Sequence, residues 1–91
     1  MTADRRDILD EQVRINRLRR LADLTAYRLR HDAMSRLDAL DLIQQTREEV
    51  LDLFPDKGEV FELVLRPRFL RMLNDRALAE WGIVADSESL N

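Results

Sequence analysis

Apolar residues recur every seven positions through the first half of the chain: Ile8, Ile15, Ala22, Leu29, Ile43 and Val50, interrupted by Arg36. Leu18, Leu21, Ala26, Ala33, Leu40 and Phe54 fall on or beside the same stripe when residues are laid out at about 100° each. A one-sided stripe of this kind marks an amphipathic helix whose apolar side must be covered. The companion half of the heptad is weaker. Glu11, Thr25, Asp32 and Thr46 stand where residues like Leu18, Ala39 and Leu53 are expected, so the pattern is a helical seam rather than a strict leucine zipper. No glycine or proline precedes Pro55, and the stripe keeps its phase. The sequence therefore predicts one long helix over residues 4–54, about 75 Å long at 1.5 Å per residue. The alternative is a break near residues 31–36, the most polar stretch. There Ser35, with Asp38 three residues on, fits a helix cap, and the chain folds back as a hairpin.

Phe54-Pro55-Asp56-Lys57-Gly58 is the clearest punctuation, because proline ends a helix and the residues after it are turn formers. Residues 59–66 contain Val60, Phe61, Leu63, Val64 and Leu65, a run short enough for a buried strand. With no second strand to pair with, its backbone groups need a helix. Pro67 interrupts or restarts that helix and kinks it. Leu70, Leu73, Ala77 and Trp81 then share a face, with Phe69 and Met72 beside it. Gly82 suits the left-handed residue after the last turn, where Ile83 reaches Leu78, and residues 84–91 are expected to fray. The expected fold is all-α: a long helix, a turn at 55–58 and a kinked antiparallel helix over 59–81, in one domain of residues 1–83 followed by a tail.

Length turns this shape into an expectation about assembly. A compact globule of 91 residues has a radius of gyration of about 12 Å, so a helix of this length outruns what the remaining residues can cover. Self-association is the economical answer. Charge selects its direction. Residues 14–36 carry seven arginines against two aspartates, a net of +5, whereas residues 37–54 carry a net of −4. Antiparallel alignment lays one block beside the other, between two chains or within one hairpin. An antiparallel helical-bundle homodimer is thus expected, with Ile8, Ile15, Leu18, Leu29, Ile43 and Val50 as its seam. Phe54, Phe61, Phe69, Met72, Leu73 and Trp81 are expected to pack the shorter helix or to anchor a protein partner.

Composition narrows the chemistry. The chain has no cysteine and a single histidine, so thiolate metal sites, thiol nucleophiles and paired-histidine metal motifs are excluded. His31, between Arg30 and Asp32, reads as helix surface. Residues 1–6 lead into no signal-peptide core and no apolar span approaches 20 residues, so a cytoplasmic chain without a membrane partner is expected. A net charge of −3 argues against a general polyanion binder. The arginines of residues 14–36 spread over the outer half of the helix instead of forming one line, and several have acidic residues four positions away. Arg66, Arg68 and Arg71, around Phe69, are the remaining candidates for an anion contact or for nucleic acid.

Glu48-Glu49-Val50-Leu51-Asp52, followed by Glu59 and Glu62, resembles the acidic motifs of MazG-type all-α nucleotide pyrophosphohydrolases. The resemblance covers about fifteen residues, by count along the chain. It implies magnesium held by Glu48, Glu49, Asp52, Glu59 and Glu62, chemistry that suits hard oxygen ligands on facing helices. The gap between the clusters is shorter than in that family, and no further acidic residue stands at the last ligand position. An acidic face paired with arginines accounts for the same residues. The sequence favours a non-catalytic helical interaction or adaptor protein, homodimeric and without a cofactor.

Overall fold

A computed structural model describes residues 5–81, the side chain of Trp81 excepted. Three helices account for nearly all of them. α1 spans Arg5–His31 and α2 spans Arg36–Leu53. The third helical stretch, α3, covers residues 58–81. It is built in sequence from α-helix at Gly58–Val60, π-helix at Phe61–Leu65, α-helix at Arg66–Arg76 and π-helix at Ala77–Trp81. Among the described residues there is no strand, and residues 59–66 are helical as expected. No helix among them is long and apolar enough to cross a membrane. The expected C-terminal cap at Gly82 and the tail at 84–91 lie outside the described residues.

The long helix over residues 4–54 is not formed; the chain breaks at residues 32–35, as the alternative reading had it. Ser35 adopts an extended conformation (φ −76°, ψ 168°), and its hydroxyl accepts a hydrogen bond from the backbone N–H of Asp38 at 3.1 Å. The Asp38 carboxylate accepts in return from the Ser35 N–H at 3.5 Å, completing a capping box. Such a cap is worth about 1 kcal/mol, which fixes where the helix restarts but not whether it breaks. Burial decides that. Folding back encloses Leu29 and Ile43 completely and leaves Val50 only 2% exposed, and each fully buried side chain of this size contributes about 1.5–3 kcal/mol. An unchanged stripe phase does not argue against a hairpin, because each arm presents an apolar side of its own across the non-helical residues 32–35.

The three helices run up, down and up. Thr25 of α1 meets Thr46 of α2, and the Arg14 guanidinium lies 5.5 Å from the Phe54 ring centre, so α1 and α2 are antiparallel. Arg47 of α2 bonds Glu62 near the start of α3, whereas Arg76 near its end reaches Leu29, close to the end of α1. α3 is therefore antiparallel to α2 and parallel to α1. Leu29, Ala39, Leu42, Ile43, Val50, Phe61, Phe69, Met72 and Leu73 form one core between them. Phe61 and Phe69 meet at a ring-centre distance of 6.3 Å, tilted at 56°.

The joints follow from residue chemistry. α2 stops before Pro55, and the Lys57 N–H donates to the Phe54 carbonyl at 3.0 Å, closing a turn with proline at its second position. Pro67 has no N–H to give the preceding turn, and its ring crowds the carbonyl of Leu63. The chain responds by widening: the Arg66 N–H bonds back five residues to the Phe61 carbonyl. The helix thus passes through Pro67 by way of a π-helical turn. At the end of α1, whose last carbonyls have no helical partner, the nearly buried Arg76 donates through Nη1 to the Leu29 carbonyl at 3.0 Å. Its Nε stands 3.1 Å from Glu80. The guanidinium satisfies an orphan carbonyl and places positive charge at a helix C-terminus.

One polar pair lies inside the core. Thr25 and Thr46 are almost fully enclosed, with their hydroxyl oxygens 2.7 Å apart. Thr46 donates to the Leu42 carbonyl at 2.8 Å, so its proton is committed and Thr25 is the donor between the two. Thr46→Val strands the Thr25 hydroxyl in the core and is expected to cost about 1–3 kcal/mol in urea unfolding. Thr25→Val with Thr46→Val removes both ends of the bond and is expected to cost less than the single Thr46→Val. A double variant at least as unstable as the sum of the singles contradicts the assignment.

Candidate functional site

α1 is longer than its partner in the hairpin. Its 27 residues span about 40 Å, and the 18 of α2 about 27 Å. Phe54, at the end of α2, lies under Arg14, so residues 5–13 run on past the hairpin. That accounts for much of the elongated outline, 60 × 24 × 15 Å with a radius of gyration of 16.4 Å. Every residue from 5 to 14 is exposed. Ile8 (58% exposed), Leu9 and Val13 are among them.

Beside this projecting segment, α1 and α3 leave a groove open. Its first part, ≈ 290 Å³, is lined by Ile15 and Leu18 of α1, Val50 and Phe54 of α2 and its turn, and Val60, Phe61 and Leu65 of α3, with Glu11 and Lys57 at the edge. Its second part, ≈ 370 Å³, shares Leu18, Val60 and Leu65 and adds Ala22 and Val64, with Arg19, Asp23 and Arg68 at the edge. The floor is apolar and the rim carries both signs of charge. The π-helical turn before Pro67 runs along this groove, through Phe61, Val64 and Leu65.

The expected seam divides in two. Leu29 and Ile43 are enclosed within the single chain, where the hairpin covers them, and Val50, 2% exposed, lies at the base of the groove. Ile15 and Leu18 are half-buried in the groove and Ile8 stands exposed beyond it. Among the expected packing anchors, Phe61, Phe69 and Leu73 are core residues and Phe54 is half-buried. Met72 also belongs to the core, 9% exposed, at the base of a recess lined by Arg30, Asp75, Arg76 and Glu80. Trp81 lies in the last π-helical turn, and its side chain is outside the described residues.

The charged candidates are dispersed. Arg66 bonds Glu62 through Nε at 2.7 Å and covers the Phe61 ring at 5.3 Å, Arg68 sits on the groove rim, and Arg71 is exposed elsewhere on α3. Glu62, a ligand in the magnesium reading, accepts from both Arg66 and Arg47. Among the described residues, no three acidic or histidine side chains are gathered as a metal site requires. Arg17 lines a recess with Glu49 and Asp52, so the basic arm does lie beside the acidic arm of the same hairpin. His31 stacks on Tyr27 at 4.4 Å on the exposed side of α1, and Asp32 pairs with Arg28 rather than with Arg36 across the break.

The sequence pattern does not reveal one interior arginine and the pairing of two interior threonines. Arg76 stands seven positions after Phe69, on the buried side of α3, and an arginine at that phase marks a side chain with an internal partner. Thr25 and Thr46 were visible as faults in the heptad, though not as each other's partners.

Hydrogen bonding from Arg66, and more weakly from Arg47, holds the Glu62 carboxyl below its ordinary pKa, against a partial opposing effect of desolvation. A depressed carboxylate stabilises the fold above its unfolded pKa and loses that effect as pH falls through the folded pKa. The stability gap between the natural chain and Glu62→Gln is therefore expected at neutral pH and should close in acid. Because the pair is exposed, the gap should be small and shrink with salt. A gap that widens on acidification contradicts this account. No protein-family model matches the chain, and neither a curated protein nor a solved structure does.

Proposed function

We propose that this protein is a helical interaction module of the cytoplasm that works as a homodimer and performs no chemistry of its own. The observation that carries the reading is the unequal length of the hairpin arms. Residues 5–13 extend beyond α2 with Ile8, Leu9 and Val13 exposed, and the stripe that includes Ile8 leads directly into the apolar α1/α3 groove. Burying such surface is the main favourable term in protein association. The mixed charges on the rim set orientation and partner choice. A groove with an apolar floor and a charged edge suits a helix better than a small polar substrate.

Light scattering at micromolar concentration is expected to give twice 10.8 kDa. Ile15→Asp, which puts a carboxylate on the groove floor, is expected to halve that mass while far-ultraviolet circular dichroism stays helical. A single-chain mass for the natural protein overturns the proposal.

A further inference from the structure

We propose that the α1/α3 groove receives residues 5–13 of a second copy. The two α1 helices lie antiparallel about a two-fold axis near Ile15, with Ile8 over the partner's Ala22 and Glu11 beside the partner's Arg19. This rests on the homodimer reading and adds its surface and register.

The geometry begins with the stripe. Ile8, Ile15 and Ala22 are seven residues apart and share a side of α1. Ile15 and Ala22 are half-buried against α3, and Ile8 is exposed where α3 has not yet begun. One helix therefore carries an open groove on one side of Ile15 and an uncovered continuation of the same stripe on the other. A two-fold axis at Ile15 exchanges these halves. Each projecting segment enters the partner's groove, and one self-complementary patch is covered twice. A partner of unrelated sequence filling the groove leaves Ile8 on the projecting segment uncovered.

Charge selects the direction. An antiparallel register centred on residue 15 pairs position 11 with position 19, so Glu11 meets the partner's Arg19 twice by symmetry. Parallel alignment sets Glu11 on Glu11 and Arg19 on Arg19. Glu11 and Arg19 are both exposed and both line the groove, Glu11 in line with Leu18 and Arg19 at the outer edge, within reach of a partner's long side chain. The register also sets Asp7 opposite Asp23, a like-charged match on a rim that carries Arg19 and Arg68. A competing surface exists: Leu9, Val13, Leu24 and Tyr27 form a second exposed row on the opposite side of α1. The recess that Val13 borders is lined otherwise by Asp7, Asp10, Glu11 and Arg14, so that side offers no apolar floor comparable to the α1/α3 groove.

The test is a charge-reversal cycle on the full chain, read by sedimentation equilibrium. Glu11→Arg and Arg19→Glu are each expected to raise the dimer dissociation constant at least about tenfold, and the double reversal to return it to within about threefold of the natural value. Ile8→Asp is expected to dissociate the dimer, whereas Leu24→Asp leaves it intact. All four positions are exposed, and circular dichroism checks that each variant keeps its helices. A dimer that ignores Glu11→Arg, Arg19→Glu and Ile8→Asp but is lost with Leu24→Asp overturns the surface and leaves the homodimer standing. Single reversals that the double does not rescue overturn the register. A natural chain that is already monomeric overturns both.

Discussion

The structure depends on ending α1 at His31. Only a chain that stops there can bring α2 back, and only the returned α2 makes a trough in which Phe61, Phe69 and Leu73 of α3 can be enclosed. Two devices hold the stop from opposite sides. Ser35 and Asp38 satisfy each other's backbone groups at the start of α2. Arg76, reaching across from α3, takes the Leu29 carbonyl at the end of α1. The first is local and belongs to the hairpin alone. The second requires α3 in place, so the end of the first helix is completed only when the third has docked. The hairpin break and the three-helix core are therefore linked, and losing Arg76 reaches the connection between α1 and α2 although it lies 47 residues from Leu29.

Much of this was legible in the residues, and its limits are instructive. Pro55 and the turn formers after it mark the end of α2 without ambiguity, since proline chemistry acts locally. The helix over residues 59–66 follows from the absence of any strand partner. The break at 32–35 shows in the sequence as a cap, yet phase and the lack of glycine favour a continuous helix, because neither signal carries burial. Phase is indifferent between the two shapes. What separates them is whether Leu29, Ile43 and Val50 find cover inside one chain, and that depends on residues 61–73 arriving over them. No local signal carries it.

The two threonines make the same point on a smaller scale. Read singly, Thr25 and Thr46 weaken the heptad, because each puts a hydroxyl where a larger apolar group is expected. Placed opposite each other they complete a chain of hydrogen bonds from Thr25 to Thr46 to the Leu42 carbonyl. A buried hydroxyl is tolerated only with its partner in reach, so the pair penalises any sliding of α1 against α2, which a purely apolar seam tolerates more readily. That turns two faults into a marker of register, one that fixes how far α1 extends beyond α2.

The overhang, in turn, is what gives the surface its character. Had the hairpin arms been equal, the stripe through Ile8, Ile15 and Ala22 would end where its cover ends. With the register pinned by the threonines and α2 stopped by Pro55, residues 5–13 must project, and Ile8 must face water. Each such residue, once covered, contributes about 1.5–3 kcal/mol, but a nine-residue helical end cannot fold back onto its own bundle without another break. The same principle therefore acts twice. Inside the chain, an uncovered stripe is resolved by a turn at residues 32–35. Within residues 5–13 the helix has no such turn, and in the proposed dimer its cover comes from a second α1. The groove beside Ile15 offers a matching apolar floor, with its charged groups kept to the edge. The opposing charges at positions 11 and 19 favour the antiparallel direction already used by α1 and α2, so in the proposed dimer one rule of pairing would serve the hairpin and the assembly alike.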